Sequence, residues 1–306
     1  MIQSFDLHLP HGISWACRRA AAAEVVDSGG TAAGGPRVML LHGFPEAAFV
    51  WDEVLELLAA AQPTMWALAP NLRGYPGSSS PPEVEAYRAR PLVQDLLAAI
   101  DATGGPLDLL VAHDWGGALA WNLAAQHPEK LKHLLILNSP HPATFLRELR
   151  HNPAQQAASA YMNFLCRPDA EQLLAANDYA RLWPFFGSPG WMTPQIKAAY
   201  RAAWSHPAGG LTGPLNYYRA SPLRPAMGPA DTLHTLELPD RIVTVQVPTT
   251  VLWGDKDAAL MPSLLDGLAQ WVPDLQVQHL SAASHWLVHE QPRTVAQTIL
   301  RLLPSE

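Results

Sequence analysis

Cysteine is almost missing from this chain: Cys17 and Cys166 are the only two in 306 residues. So far apart in sequence, they make neither a disulfide framework nor a metal site, and they suit a reducing cytoplasm. Basic residues are scarce as well. Twenty Lys and Arg against 27 Asp and Glu leave a formal charge of −7, which speaks against nucleic acid or an anionic membrane as a partner. Long apolar runs are lacking too. The opening MIQSFDLHLPHG holds an acid and no extended hydrophobic stretch, so neither a signal peptide nor a membrane span is expected.

What is present is alternation. Residues 4 to 20 read as a strand pair, and GGTAAGGP at 29 to 36 reads as a flexible turn. Then follow strand 37–41, helix 50–61, strand 64–69, helix 90–102, strand 107–112, helix 115–127 and strand 131–138. This order predicts a mainly parallel sheet covered by helices on both faces. Between about 140 and 245 the alternation stops, in a segment rich in Pro, Trp, Tyr and short helical stretches. Strand 249–253, helix 261–271, strand 276–280 and helix 290–303 resume it. The expected organisation is therefore a core of residues 1–139 and 246–306 with a helical lid, residues 140–245, inserted into it.

The run LLVAHDWGG, residues 109 to 117, carries the chemistry. Its apolar strand, its paired glycines and the helix ALAWNLAAQ make a nucleophile elbow, in which a sharp strand-to-helix turn holds the attacking atom over the end of a sheet. The usual serine is absent and Asp114 takes its place. A carboxylate displaces a leaving group from saturated carbon and becomes an alkyl ester, which water must then cleave. That second step needs a histidine base, an acid to orient it and N–H donors for the oxyanion. The competing reading of Asp114 is a plain helix cap.

The remaining parts occur in the expected order. PRVMLLHGFPE, residues 36 to 46, is a strand ending in an oxyanion loop, where the amides of Phe44 and Trp115 would bind the anion and His42, Gly43 and Pro45 would support the turn. Pro45 also permits a cis peptide. Beyond the strand in VPTTVLWGDKDAAL, Asp257 is the expected acid, and Asp255 is its alternative in what is otherwise a solvated turn. His285, in LSAASHWLVHEQP, is the expected base, with His289 read as structural or exposed. Glu46 suits the start of a helix, and His113 is expected to fix the elbow.

Together these segments resemble the α/β-hydrolase superfamily over nearly the whole chain, and HDWGG resembles its epoxide hydrolase branch. NLRGYPGSS at 71 to 79 is similar to that family's D-x-R-G-Y-G-x-S loop, with Asn71 and Pro76 as departures, and NSPHP at 138 to 142 resembles its passage from core to lid. The resemblance implies an eight-stranded, mainly parallel sheet and a helical cap. It also implies two lid tyrosines that protonate the alkoxide leaving an opened epoxide. By motif these are Tyr161 in SAYMNF and Tyr218 in LNYYRA, with Tyr217 as the register alternative.

The expectation is thus an epoxide hydrolase that makes vicinal diols from a small apolar epoxide and needs no metal or organic cofactor. Lid aromatics Trp183, Phe185, Phe186, Trp191 and Trp204 would line its cavity, and exposed ones would allow a homodimer. One alternative is a haloalkane or haloacid dehalogenase using the same Asp-His-Asp set, with the Trp115 indole holding the halide. Another is a non-catalytic receptor that keeps the pocket.

Overall fold

The computed structural model describes residues 1–20, 35–187 and 189–304. Most of the GGTAAGGP turn lies outside them. Two strands, β1 (Ile2–His8) and β2 (Ser14–Ala20), form an antiparallel pair, and β2 continues antiparallel onto β4 (Trp66–Pro70). From there the sheet is parallel through β3 (Arg37–Leu41), β5 (Leu109–His113), β6 (Leu134–Leu137), β7 (Thr249–Gly254) and β8 (Leu275–Leu280). Its order is β1-β2-β4-β3-β5-β6-β7-β8. Strands β5, β6 and β7 are buried along their whole length. Continuous apolar runs such as LLVA and LLIL are what a parallel strand needs when helices cover both its faces.

The covering helices are α1 (Asp52–Ala61), α2 (Ala89–Ala102) and α3 (Asp114–Gln126), with α10 (Leu287–Glu290) and α11 (Pro292–Leu302) at the end of the chain. Six more, α4 (Pro142–His151), α5 (Pro153–Ala158), α6 (Tyr161–Leu165), α7 (Ala170–Tyr179), α8 (Pro194–Trp204) and α9 (Thr212–Ala220), lie between β6 and β7. This insertion is tied to the loops at the carboxyl ends of the core strands. The Trp204 indole donates to the Pro45 carbonyl at 2.7 Å, the Tyr217 hydroxyl to Arg73 at 2.9 Å, and the Gln155 amide to Ala259 at 2.7 Å.

One expected helix is absent. Residues 261–271 form two short 3-10 turns, Pro262–Leu265 and Leu268–Gln270, because Gly267 between them takes a positive φ of 70° that ends any continuous helix. The expected last helix, 290–303, is α11, which starts at Pro292 directly after the short α10.

Candidate active site

The end of β5 aims Asp114 at the space under the insertion. Asp114 has φ 48°, the left-handed turn of a strand that must become a helix at once. Small neighbours make the turn possible. A Cβ on Gly43 would come within 2.2 Å of Asp114 Oδ1, and one on Gly116 within 2.6 Å of the His42 carbonyl. The elbow is pinned from β6, where Ser139 donates its hydroxyl to the Asp114 carbonyl at 2.6 Å.

Of the two expected oxyanion amides, that of Phe44 donates to Asp114 Oδ1 at 2.7 Å. The Trp115 amide, in the first turn of α3, has no acceptor among the described residues, as expected at an open helix N-terminus. Phe44 and Pro45 are joined by a cis peptide. His42 braces the loop as a neutral imidazole, its Nδ1–H donating to the Gly43 carbonyl at 3.0 Å and its Nε2 accepting from the Leu72 amide at 3.2 Å. Burial lowers its pKa to about 4, which keeps it neutral.

His285 lies between two carboxylates. Its Nδ1–H donates to Asp257 Oδ2 at 2.6 Å, and its Nε2 faces Asp114 Oδ2 at 3.7 Å. Burial would lower its pKa, but Asp257 first and Asp114 second outweigh that and push it up to about 9. Asp257 is buried and would be raised by desolvation, yet its partners hold it below the usual carboxylate range. They are His285, the amides of Ala259 and Leu260 at 2.8 and 2.9 Å, and Asn138 Nδ2 at 2.7 Å. Asp255, the alternative acid, pairs instead with the half-exposed His279 at 2.7 Å.

Two functional-looking groups, Asn138 and Tyr200, escaped the sequence reading. Asn138 takes a positive φ of 35° at the end of β6 and holds the acid's loop by accepting from the Gly254 amide at 2.7 Å. Glu46, expected at the start of a helix, is fully buried beside His113. The His113 ring is held at both nitrogens, Nδ1 lying 2.9 Å from Glu46 and Nε2 2.9 Å from the His285 carbonyl. Burial opposes the Glu46 charge, but His113 brings its pKa down to about 2. The Tyr200 hydroxyl of α8 donates to the other Glu46 oxygen at 3.1 Å and accepts from His289 at 2.8 Å, so of the two readings of His289 the structural one holds, the residue being half-buried in this network. A polar residue directly after an apolar strand, as in LNSP, was the available signal for Asn138. Nothing local marks Glu46, whose burial comes from the insertion folding over it.

A cavity of about 260 Å³ opens onto Asp114, with Tyr161 and Tyr218 among its walls. Their rings are 6.2 Å apart, and their hydroxyls face each other. The Tyr218 ring meets that of Trp115 edge-on at 5.0 Å, and the Trp115 indole nitrogen faces its hydroxyl. Burial pushes both phenols upward, so they hold their protons at neutral pH. Tyr217 also borders the cavity, but its hydroxyl is spent on Arg73. The aromatics expected to line the cavity do not border it. Trp183 packs on Trp204, Phe186 on Trp286, and Trp191 stacks flat on His289 at 4.2 Å.

Comparison with known proteins adds a family. A model described as alpha/beta hydrolase fold matches residues 36–292. The chain belongs to that family. Among relatives of this alpha/beta hydrolase, the AB hydrolase superfamily protein YfhM of Bacillus subtilis is 33% identical, over 89% of this chain and 91% of that protein. Epoxide hydrolase 3 of Xenopus tropicalis is 32% identical, over 89% and 72%. Among solved structures, an epoxide hydrolase from Bacillus megaterium in complex with an inhibitor matches with a TM-score of 0.83 at 28% identity, covering 97% of this chain and 99% of that one. No helix among the described residues is long and apolar enough to cross a membrane.

Proposed function

We propose that this alpha/beta hydrolase opens epoxides to vicinal diols, with residues 140–245 serving as its cap over a core of residues 1–139 and 246–306. The observation that carries the reading is one cavity bordered by a carboxylate, Asp114, and by two protonated phenols, Tyr161 and Tyr218. Its relatives include proteins named epoxide hydrolases. Two free cysteines suit a cytoplasmic setting.

In the first step Asp114 Oδ2 attacks a ring carbon while Oδ1 stays on the Phe44 amide. The C–O bond breaks, and a proton from Tyr161 or Tyr218 neutralises the alkoxide, leaving a tyrosinate. The ester carbonyl oxygen then rests on Phe44 and near the open Trp115 amide, the two donors a tetrahedral oxyanion needs. With Asp114 esterified, one of the charges that held the His285 proton is gone. That proton returns to the tyrosinate, and neutral His285 takes a proton from water as it attacks the ester carbonyl. Collapse passes the intermediate's hydroxyl proton to the departing oxygen, which frees the diol and the Asp114 carboxylate and leaves His285 as the imidazolium.

Halide displacement fits less well, because the Trp115 indole that would hold the halide is turned to Tyr218. The reading is tested by exposing the purified protein and its His285→Gln variant to styrene oxide. The parent should form phenylethanediol, and the variant should gain the mass of the epoxide on the peptide containing Asp114. Diol formation at parental rate by the variant, or a mass gain elsewhere, would sink it.

A further inference from the structure

The cavity runs along α3. Asp114, Ala118 and Asn122 are spaced i, i+4 and i+8, so they share one face of the helix, and all three border the cavity. Eight residues of helix place Asn122 about 12 Å beyond the nucleophile along the axis. The wall between is apolar, with Ala118, Leu119, Phe145 and Leu223 contributing to it.

Several polar groups of this wall have partners among the described residues. The Tyr87 hydroxyl donates to the Pro81 carbonyl, that of Tyr217 to Arg73 and that of Ser139 to Asp114, while Ser221 Oγ accepts from the Leu223 amide. Asn122 uses one amide hydrogen on the Ala118 carbonyl at 2.8 Å. Its Oδ1 and second amide hydrogen have no protein partner among the described residues, and the side chain is half-buried rather than out in solvent. The first bond fixes which way the amide points, so an acceptor and a donor are presented together.

We propose that Asn122 selects the far end of the substrate: a terminal epoxide on an apolar chain long enough to bring a hydroxyl or amide group to it. This inference rests on the epoxide hydrolase reading. An apolar tail alone leaves the Asn122 acceptor without its water, whereas a hydroxyl at that depth replaces the water and keeps the bond.

The test compares decene oxide, ω-hydroxydecene oxide and the shorter ω-hydroxyhexene oxide as substrates of the parent protein and of Asn122→Leu and Asn122→Ala. Either substitution should lower kcat/KM for ω-hydroxydecene oxide about tenfold, the scale of one lost hydrogen bond. Decene oxide should be turned over as well or better, and the hexene compound, whose hydroxyl stops short of Asn122, should be unaffected. An equal change for all three substrates, or none, overturns the proposal and leaves the epoxide reading standing. Failure of the parent to turn over any of them overturns that reading, and this inference with it.

Discussion

The floor and the roof of the site are held in different ways. On the floor, Asp257 takes four hydrogen bonds, Asp114 is gripped at Oδ1 and at its carbonyl, and His285 is fixed through both its ring and its backbone. On the roof, Tyr161 and Tyr218 are set by ring packing, and their hydroxyls face each other and the Trp115 indole. The floor must keep one geometry through two chemical steps. The roof must release a proton in the first, so its hydroxyls are left uncommitted to backbone acceptors. Tyr217 shows the opposite solution next door, since its hydroxyl anchors the insertion to Arg73 and has no proton to lend.

The contrast breaks most visibly at Asp114. Asp114→Asn should cost roughly a millionfold in turnover, the scale of losing a covalent nucleophile, and single-turnover kinetics with an epoxide should show no ester. A rate within a hundredfold of the parent would mean that the carboxylate does not attack. Next come the phenols: Tyr161→Phe and Tyr218→Phe should each slow ester formation about a hundredfold, and the double variant should lose nearly all of it. Tyr217→Phe should leave that step unchanged and lower stability instead. Equal damage to catalysis from Tyr217 and Tyr218 would erase the distinction drawn here.

A smaller effect concerns pH. His285 is held at about 9 while Asp114 is ionised, and esterification removes that charge, so the base titrates lower in the intermediate. Ester hydrolysis should rise with pH and level off at a midpoint below about 9, measured by stopped-flow after preloading with epoxide. A midpoint above that value would contradict the assigned role. The smallest expected change is from Tyr200→Phe, which removes one hydrogen bond between insertion and core. About 1 kcal/mol should be lost in denaturant unfolding, with kcat nearly unchanged.

The floor was far more legible in the sequence than the roof. Asp114 follows an apolar strand directly, Phe44 and Asp257 come three residues after one and His285 five residues after β8, so chain order and short-range patterning put them at the carboxyl ends of the strands. Tyr161 and Tyr218 stand in a segment without such periodicity, and only a motif resemblance picked them out. The supporting polar residues were the hardest to see. Glu46 and Tyr200 act through burial, which depends on what folds over them and leaves no local trace. The misread helix at 261–271 shows the converse, where an amphipathic pattern was overruled by one glycine.

Three charged groups carry the proposed cycle in this apolar interior: the carboxylates of Asp114 and Asp257 against the His285 imidazolium. Their sum is one negative charge, and it stays so at every stage of the proposed cycle. When Asp114 is esterified the tyrosinate takes over its charge, and when the tyrosinate recovers its proton the imidazolium of His285 disappears with it. Reactants and product cross the boundary as neutral molecules. Conservation of charge therefore suits this pocket to reactions that import and export no ions, and a substrate whose leaving group is an anion would have to carry that charge out past leucine and phenylalanine side chains.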